Sequence, residues 1–268
     1  MSDKVLEPAN VKELVRARYG GIAAGSIQDV IAPPSSSCCG GAVPSVGDKA
    51  AAMGYSAEDL AAVPDGANLG LGCGNPQAIA ALQPGEVVVD LGSGAGFDCL
   101  LAARQVGATG RVIGVDMTHE MLAKARGNAA KVGAANVEFR LGELEHLPVA
   151  DNTADVIISN CVINLVPDKA QVFREAFRVL KPGGHLSVSD VLNIAPLPDD
   201  LRSDPVLLCG CVAGAISAER TETLLREAGF VDVVIAVKPE SRETVASWAP
   251  GRGIENCVAS AMVEARKP

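Results

Sequence analysis

The stretch Glu86-Val-Val-Val-Asp-Leu-Gly-Ser-Gly-Ala-Gly-Phe-Asp98 decides how this chain folds. Its β-branched beginning is typical of a parallel strand that is buried on both faces. Gly92, Gly94 and Gly96 fall where this strand turns into a helix, and glycine there allows a ligand to approach the backbone closely. The stretch therefore predicts an open α/β sheet with a nucleotide-cofactor loop after its first strand.

The same alternation of strands and helices continues along the chain. Strands are predicted at residues 86–90, 111–116, 137–140, 154–159 and 185–189, and helices at residues 98–106, 119–132 and 169–180. A last helix, residues 219–228, precedes residues 231–237 and 257–264, which we expect to be edge strands that close the sheet. This order predicts a doubly wound, mostly parallel sheet with helices on both faces.

The region before the first strand has a different pattern. Residues 11–19 carry apolar positions on one helical face, and Gly20-Gly21 is expected to end this helix. Residues 32–46 are rich in Pro, Ser, Gly and Cys, which predicts a loop or disordered arm. Ser56 is expected to cap a short helix over residues 56–62.

The chain is accordingly divided into two regions. Residues 1–80 are expected to form an N-terminal helical arm and a cap over the substrate site. Residues 81–268 are expected to form the main domain, with a helical insertion over the active site at about residues 190–220.

Composition limits the classes of function. The 268 residues are 48% hydrophobic and carry a net charge of −9, which suits a chain that buries a full core and argues against binding to a phosphate backbone. The charged N-terminus does not resemble a signal peptide, and no run of about 18 apolar residues occurs. We expect a cytoplasmic protein with small-molecule ligands, no nucleic-acid or membrane partner and, by default, a monomeric state.

Residues at the predicted strand ends suit an adenosyl cofactor. The Gly-x-Gly-x-Gly spacing differs from the Gly-x-Gly-x-x-Gly of dinucleotide-binding folds, and Asp116 can accept hydrogen bonds from ribose hydroxyls. Gly142-Glu143 is placed to flank an adenine ring. The alternative is that the glycines form only a tight turn. The expected cofactor-binding residues are Asp90, Gly92, Ser93, Gly94, Gly96, Asp98, Asp116, Met117, Gly142, Glu143, Asn160 and Tyr19.

These motifs resemble those of a known family. The cofactor loop, Asp116 and Arg178-Val-Leu-Lys-Pro-Gly-Gly184 are similar to class I S-adenosylmethionine-dependent methyltransferases. Three further stretches resemble arsenite methyltransferases: Gly70-Leu-Gly-Cys-Gly-Asn-Pro76, Ser159-Asn-Cys-Val-Ile-Asn-Leu-Val-Pro-Asp168 and Cys211-Val-Ala-Gly-Ala215. The resemblance spans about residues 11–230. It implies S-adenosylmethionine as cofactor, arsenite and methylarsenite as substrates, and a thiol reductant such as thioredoxin or glutathione.

The cysteines fit such a substrate, because trivalent arsenic is soft and thiophilic. The chain has eight: Cys38, Cys39, Cys73, Cys99, Cys161, Cys209, Cys211 and Cys257. Cys161 directly follows the fourth predicted strand, and the resemblance adds Cys211 and Cys73 as arsenic ligands. Three sulfurs would leave the arsenic lone pair free to face the cofactor's methyl group.

The remaining cysteines have open or structural assignments. Cys38 and Cys39 are expected to capture substrate or to exchange disulfides with Cys73, or to be an exposed pair without a role. Cys209 is either a helper thiol or a packing residue, and Cys99 and Cys257 are expected to pack in the core.

Two other functions remain open at this point. A methyltransferase could act on a small organic acceptor, with the cysteines serving only structure. A binding protein could sequester Zn²⁺ or a soft metalloid, although the dispersed cysteines lack the paired spacing of structural zinc sites. None of the three histidines lies in a cysteine motif, so no histidine base is expected.

Overall fold

A seven-stranded sheet organises the part of the chain that the computed structural model describes, residues 8–27 and 45–268. The strands are β1 (Val87–Leu91), β2 (Arg111–Asp116), β3 (Val137–Leu141), β4 (Ala154–Asn160), β5 (Leu180–Asn193), β6 (Val231–Val237) and β7 (Val258–Arg266). Their order is β3-β2-β1-β4-β5-β7-β6, with β1 to β5 parallel and β7 antiparallel to both of its neighbours. The predicted doubly wound, mostly parallel fold is confirmed.

Helices cover both faces of the sheet. They are α1 (Pro8–Ala23), α2 (Val46–Ala52), α3 (Ala57–Ala61), α4 (Gln77–Ala80), α5 (Phe97–Val106), α6 (His119–Val132), α7 (Lys169–Val179), α8 (Asp199–Arg202), α9 (Pro205–Cys209), α10 (Ala218–Ala228) and α11 (Arg242–Trp248). Val88 packs in a cluster with α5 and α6, whereas Val89 packs in a second cluster with α7 and α10. Burial of each such side chain contributes about 1.5–3 kcal/mol, which explains the continuous apolar run of β1.

Most element boundaries agree with the sequence-based prediction. The bounds of β2, α6 and β6 are those predicted, those of β3, β4, α5, α7 and α10 differ by one residue at one end, and β1 is shifted by one residue. Ser56 caps α3 as expected, because the Asp59 backbone N–H donates to its hydroxyl at 3.1 Å and the Asp59 carboxylate accepts from the Ser56 N–H at 2.9 Å. Local capping and hydrophobic patterning were therefore sufficient for these elements.

Three local predictions were wrong. Helix α1 continues through Gly20-Gly21 to Ala23, because the buried Val15 and Ile22 on either side of the glycines pack against the body of the protein and outweigh glycine's cost of about 1 kcal/mol. Strand β7 lies between β5 and β6 and is not an edge strand. Strand β5 extends well beyond residues 185–189 because β7 pairs along it from His185 to Asn193.

The N-terminal region and the insertion meet above the sheet. Residues 32–44 of the predicted loop lie outside the described residues, and Val46 already begins α2. The short helices α8 and α9 occupy the insertion between β5 and α10, and α9 packs against α1. Among residues 8–27 and 45–268, no helix combines the length and the apolar character that crossing a bilayer requires.

Candidate active site

A cleft with about 1150 Å³ of empty space, including its mouth, opens at the carboxyl ends of β1, β2 and β4. Open α/β sheets bind ligands at this edge because the strand order reverses there and leaves a crevice. Ten of the twelve expected cofactor-binding residues line it: Tyr19, Asp90, Gly92, Ser93, Gly94, Asp98, Asp116, Met117, Gly142 and Asn160. The fold therefore brings these residues from five separate chain segments to one surface.

The glycine loop shapes the floor of the cleft. Gly92 has φ 74°, and a Cβ atom there would lie 2.5 Å from Val162 Cγ2. Gly94 has φ 50°, and no heavy atom would lie within 4 Å of a Cβ atom there. Gly92 therefore permits close packing against the loop after β4, whereas Gly94 leaves open space for a ligand beside the backbone.

Asp116 fixes this loop from the end of β2. Its carboxylate accepts the Gly94 N–H at 2.9 Å and the Thr118 N–H at 2.8 Å. Burial raises the pKa of Asp116, and these hydrogen bonds oppose the shift. The carboxylate thus lies at the cleft wall, where the sequence analysis expected a ribose acceptor.

Two expected cofactor residues are directed elsewhere. Gly96 is the N-cap of α5, and a Cβ atom there would lie 2.9 Å from Phe139 Cζ, so this glycine serves packing between helix and strand. Glu143 forms ion pairs with Lys12, at 2.7 Å, and with Arg16 of α1. Its carboxylate therefore holds α1 in place, and its expected position beside an adenine ring stays a prediction.

Buried acidic side chains give the cleft a preference for a cation. Asp90, Asp98 and Asp116 all line it and are each largely buried. Burial and the neighbouring Asp98 carboxylate raise the pKa of Asp90 well above its usual range. A ligand with positive charge would relieve this repulsion. The sulfonium and ammonium groups of S-adenosylmethionine meet that requirement, and the size and location of the cleft suit the cofactor.

Cys161 lies at the inner end of the cleft. It follows β4 directly, is 7% exposed and has φ 56°. Its N–H donates to the Ser189 carbonyl at 2.8 Å, which ties the turn to β5. A left-handed conformation at a non-glycine residue is costly, and such residues are frequent where a side chain is held for function.

The structure brings Cys73 and Cys211 to Cys161. The sulfur atoms of Cys73 and Cys161 and a carboxylate oxygen of Asp190 all lie within 4.8 Å of one another. Cys211, which also has a left-handed backbone with φ 63°, donates its S–H to the Cys161 carbonyl at 2.8 Å. The three predicted arsenic ligands therefore form one buried cluster, here called the thiol cluster (Cys73, Cys161 and Cys211).

The thiols of this cluster are protonated at neutral pH. Contacts with the Cys211 and Cys73 thiols, together with burial, raise the pKa of Cys161 well above its usual range. Burial raises the pKa of Cys73. The contact with Cys161 lowers the pKa of Cys211, but burial and the neighbouring Asp190 and Cys73 groups together raise it to about 11. The site is thus a set of three neutral S–H groups in a buried, mostly apolar cluster, with the Asp190 carboxylate beside them.

Asp190 was missed by the sequence analysis. Its buried carboxylate accepts hydrogen bonds from the Ile163 N–H at 3.0 Å, the Asn164 side chain at 2.9 Å and the Val191 N–H at 2.8 Å. Burial raises its pKa to about 6. Its hydrogen bonds to Ile163 and Asn164 stabilise the turn that follows Cys161. An acidic residue directly after the predicted strand at residues 185–189 was the signal that could have revealed it.

The other cysteines are spread around the site. Cys38 and Cys39 lie outside the described residues. Cys99 is fully buried in α5 and donates to the Asp90 carboxylate at 3.2 Å, whereas Cys257 is a buried residue that precedes β7. Cys209 ends α9, and its carbonyl accepts the Tyr19 hydroxyl at 3.0 Å. Tyr19 therefore spans the cleft and the insertion, with its hydroxyl bonded to protein.

Comparisons with known proteins agree with this arrangement. A family described as "Methyltransferase domain" matches residues 82–229. The arsenite methyltransferase of Halobacterium salinarum is 53% identical over 98% of this chain and 68% of its own length. That of Aquipseudomonas alcaligenes is 51% identical over 60% of this chain, and the match spans 48% of that protein.

A solved structure shows the same relationship. The crystal structure of an arsenic(III) S-adenosylmethionine methyltransferase from Chlamydomonas reinhardtii has a TM-score of 0.59 and 34% identity, and covers 85% of this chain and 75% of its own. Fold, cleft and thiol cluster are thus accompanied by similarity to proteins named as arsenite methyltransferases. The chain belongs to the arsenite methyltransferase family of S-adenosylmethionine-dependent methyltransferases.

Proposed function

We propose that this protein methylates trivalent arsenic, first arsenite and then methylarsenite, with S-adenosylmethionine as the methyl donor. The observation that carries the proposal is the convergence of Cys73, Cys161 and Cys211 at the inner end of a cleft lined by acidic groups. Sulfur ligands select a soft centre over harder metal ions.

Arsenite enters by exchange of its hydroxyl groups for thiols. Three S–H groups and As(OH)₃ give As(SR)₃ and three water molecules, with no net gain or loss of protons. Trivalent arsenic keeps a lone pair in this pyramidal product. Since Cys161 lines the cleft, the lone pair can face the space in which the methyl donor binds.

The residues of the cleft would hold the donor. The acidic side chains Asp90, Asp98 and Asp116 suit its cationic and hydroxyl groups, and the glycine loop provides the close backbone approach. S-Adenosylmethionine supplies a methyl group that is activated by its positively charged sulfonium. Val162, Leu165 and Tyr19 border the same space and exclude water around the reacting atoms, so that the protein contributes mainly placement and a dry environment.

The catalytic cycle needs a thiol reductant. Transfer of a methyl group to the lone pair leaves arsenic pentavalent, and its return to the trivalent state requires two electrons. Oxidation of two site thiols to a disulfide supplies these electrons, and thioredoxin or glutathione would restore the thiols. We assign Cys38 and Cys39 to this exchange, and a reducing compartment such as the cytoplasm to the protein.

The test of the function is a direct product assay. The full chain is incubated with S-adenosylmethionine, arsenite and a thiol reductant, and the arsenic species are separated by chromatography with elemental mass detection. We expect methylated arsenic to accumulate only with donor and reductant present. Unchanged arsenite, in protein shown separately to bind the donor, would move the assignment to an organic acceptor.

The raised thiol pKa values predict that arsenite binds without proton uptake. When neutral thiols react, their own protons pass to the water molecules that leave. Thiolates would have to take these protons from solvent. Calorimetric titration at neutral pH, in two buffers of different ionisation enthalpy, should give the same binding enthalpy, and the affinity should stay constant up to about pH 8.5. An uptake approaching three protons per arsenic would show that the site holds thiolates instead.

A further inference from the structure

We infer that Asn160 is a positioning residue for the thiol cluster, and that its side chain decides whether the site offers three sulfurs or two. The inference rests on the proposed function and assigns Asn160 a different role from the cofactor contact that its sequence position suggested. The side chain lines the cleft, but its amide is occupied by protein partners.

The amide of Asn160 brackets Cys73. Its Oδ1 accepts the Cys73 N–H at 3.1 Å, and its Nδ2 donates to the Gly74 carbonyl at 2.8 Å. The Nδ2 group also lies 3.1 Å from the Tyr55 hydroxyl and 3.2 Å from Asp98 Oδ2, which fix the plane of the amide from behind. One side chain at the end of β4 thus holds the backbone on both sides of the thiol.

The segment that carries Cys73 has no regular structure of its own. Among the described residues, the backbone of residues 71–74 makes its hydrogen bonds to Asn160 and none to the backbone of the sheet. A Cβ atom at Gly72 would lie 2.8 Å from Asn160 Nδ2, and one at Gly74 would lie 2.0 Å from Ser189 Oγ. The segment therefore lies between β4 and β5, and the hydrogen bonds of the Asn160 amide hold its backbone in this clamp from the β4 side.

Cys161 and Cys211 are placed without this clamp. The Cys161 N–H is held by the Ser189 carbonyl, and the Cys211 thiol is held by the Cys161 carbonyl. Loss of the Asn160 amide should release Cys73 and leave the other two sulfurs together. Cys73 has one further tie, a long hydrogen bond from its thiol to the Ser189 carbonyl at 3.6 Å. The Asn160 amide makes the shorter hydrogen bonds to the backbone of its segment, so the third member of the thiol cluster depends on this side chain and the other two do not.

The valence of the two substrates makes this dependence measurable. Arsenite has three exchangeable hydroxyl groups, so As(OH)₃ and three thiols give As(SR)₃ and three waters. Methylarsenite has only two, so CH₃As(OH)₂ and two thiols give CH₃As(SR)₂ and two waters. A protein with Cys73 displaced should therefore lose affinity for arsenite and keep most of its affinity for methylarsenite.

The experiment compares the dissociation constants of arsenite and methylarsenite in the reduced, full-length protein and in Asn160→Ala. We expect the arsenite constant to rise by about tenfold or more, because two hydrogen bonds to the backbone of the Cys73 segment are lost, and the methylarsenite constant to change by less than about threefold. Arsenic X-ray absorption should report three sulfur neighbours in the wild type, and two sulfurs with one oxygen in the variant. An equal loss of affinity for both arsenicals would overturn the inference.

A double-mutant cycle with Cys73→Ser shows whether Asn160 acts through this thiol. In the Cys73→Ser background, Asn160→Ala should change the arsenite constant by less than about twofold, because its target is already absent. Additive losses would overturn the inference. Gly74→Ala pushes the Cys73 segment away from Ser189 and leaves the Asn160 amide unchanged. It should reproduce the selective loss of affinity for arsenite. The same loss in this second variant would exclude a folding defect specific to Asn160→Ala as the cause.

Asn136→Ala is the matched control. The Asn136 amide donates to the Ala103 and Gly107 carbonyls at the amino end of β3, remote from the cleft. We expect a lower melting temperature and unchanged constants for both arsenicals. Failure of the wild type to bind either arsenical would overturn the proposed function together with this inference. Three-sulfur coordination in Asn160→Ala would overturn the inference alone.

Discussion

Cys161→Ser is expected to abolish methylation of both arsenite and methylarsenite, while the protein still binds its methyl donor. Cys161 is the thiol that faces the cleft and contacts both other members of the thiol cluster. Without it, Cys73 and Cys211 remain, but no sulfur ligand is left at the cleft, where the methyl group is transferred. Substitutions of residues that merely support a metal ligand cost about 10- to 100-fold, so loss of the central ligand should exceed about 100-fold in rate.

Serine is suited to this test because it preserves the size and backbone requirements of the position. The left-handed turn and the N–H bond to the Ser189 carbonyl do not involve the sulfur atom. The readouts are arsenic speciation and the dissociation constant of S-adenosylhomocysteine, which should change by less than about threefold. Cys257→Ala, a buried cysteine outside the cluster, is the control and should retain methylation. Normal methylation by Cys161→Ser would show that the cysteines serve only structure.

Asp116→Ala is expected to weaken binding of the methyl donor by about 100-fold. The carboxylate fixes the glycine loop through the Gly94 N–H and is the acceptor that we assign to the ribose hydroxyls. Hydrogen bonds to a charged group contribute about 1.5–3 kcal/mol each, so the loss of two contacts at the low end of this range, about 3 kcal/mol, corresponds to roughly this change. Titration with S-adenosylmethionine and with S-adenosylhomocysteine measures the effect.

Glu143→Gln is compared with Asp116→Ala to show which of these two acidic residues, at the ends of neighbouring strands, binds the ribose. Because its carboxylate pairs with Lys12 and Arg16 of α1, we expect donor affinity to change by less than about threefold. The arsenite constant should be unaffected in Asp116→Ala, since that carboxylate does not contact the thiol cluster. A larger loss in Glu143→Gln than in Asp116→Ala would contradict the assignment of the ribose acceptor.

The sequence determined the fold and the candidates for the reacting groups. The β-branched run before Gly92, the repeated strand and helix patterns and the cap at Ser56 are local signals, and each element formed within a few residues of its predicted place. Cys161 could be assigned because the end of a parallel strand is a binding edge in every fold of this class. These inferences needed only the periodicity of buried positions and the chemistry of side chains.

The tertiary structure decided how the groups are arranged. The continuation of α1 through Gly20-Gly21 and the insertion of β7 beside β5 depend on packing against distant segments, which local propensity does not contain. Glu143 turned to α1, and Asp190 emerged as the brace of the Cys161 turn, for the same reason. Asn160 lies 87 residues from Cys73 in the chain, so its hold on that thiol exists only after the sheet has formed. Hydrogen bonds between residues so far apart carry no periodic signature, and they fix the geometry on which the proposed chemistry depends.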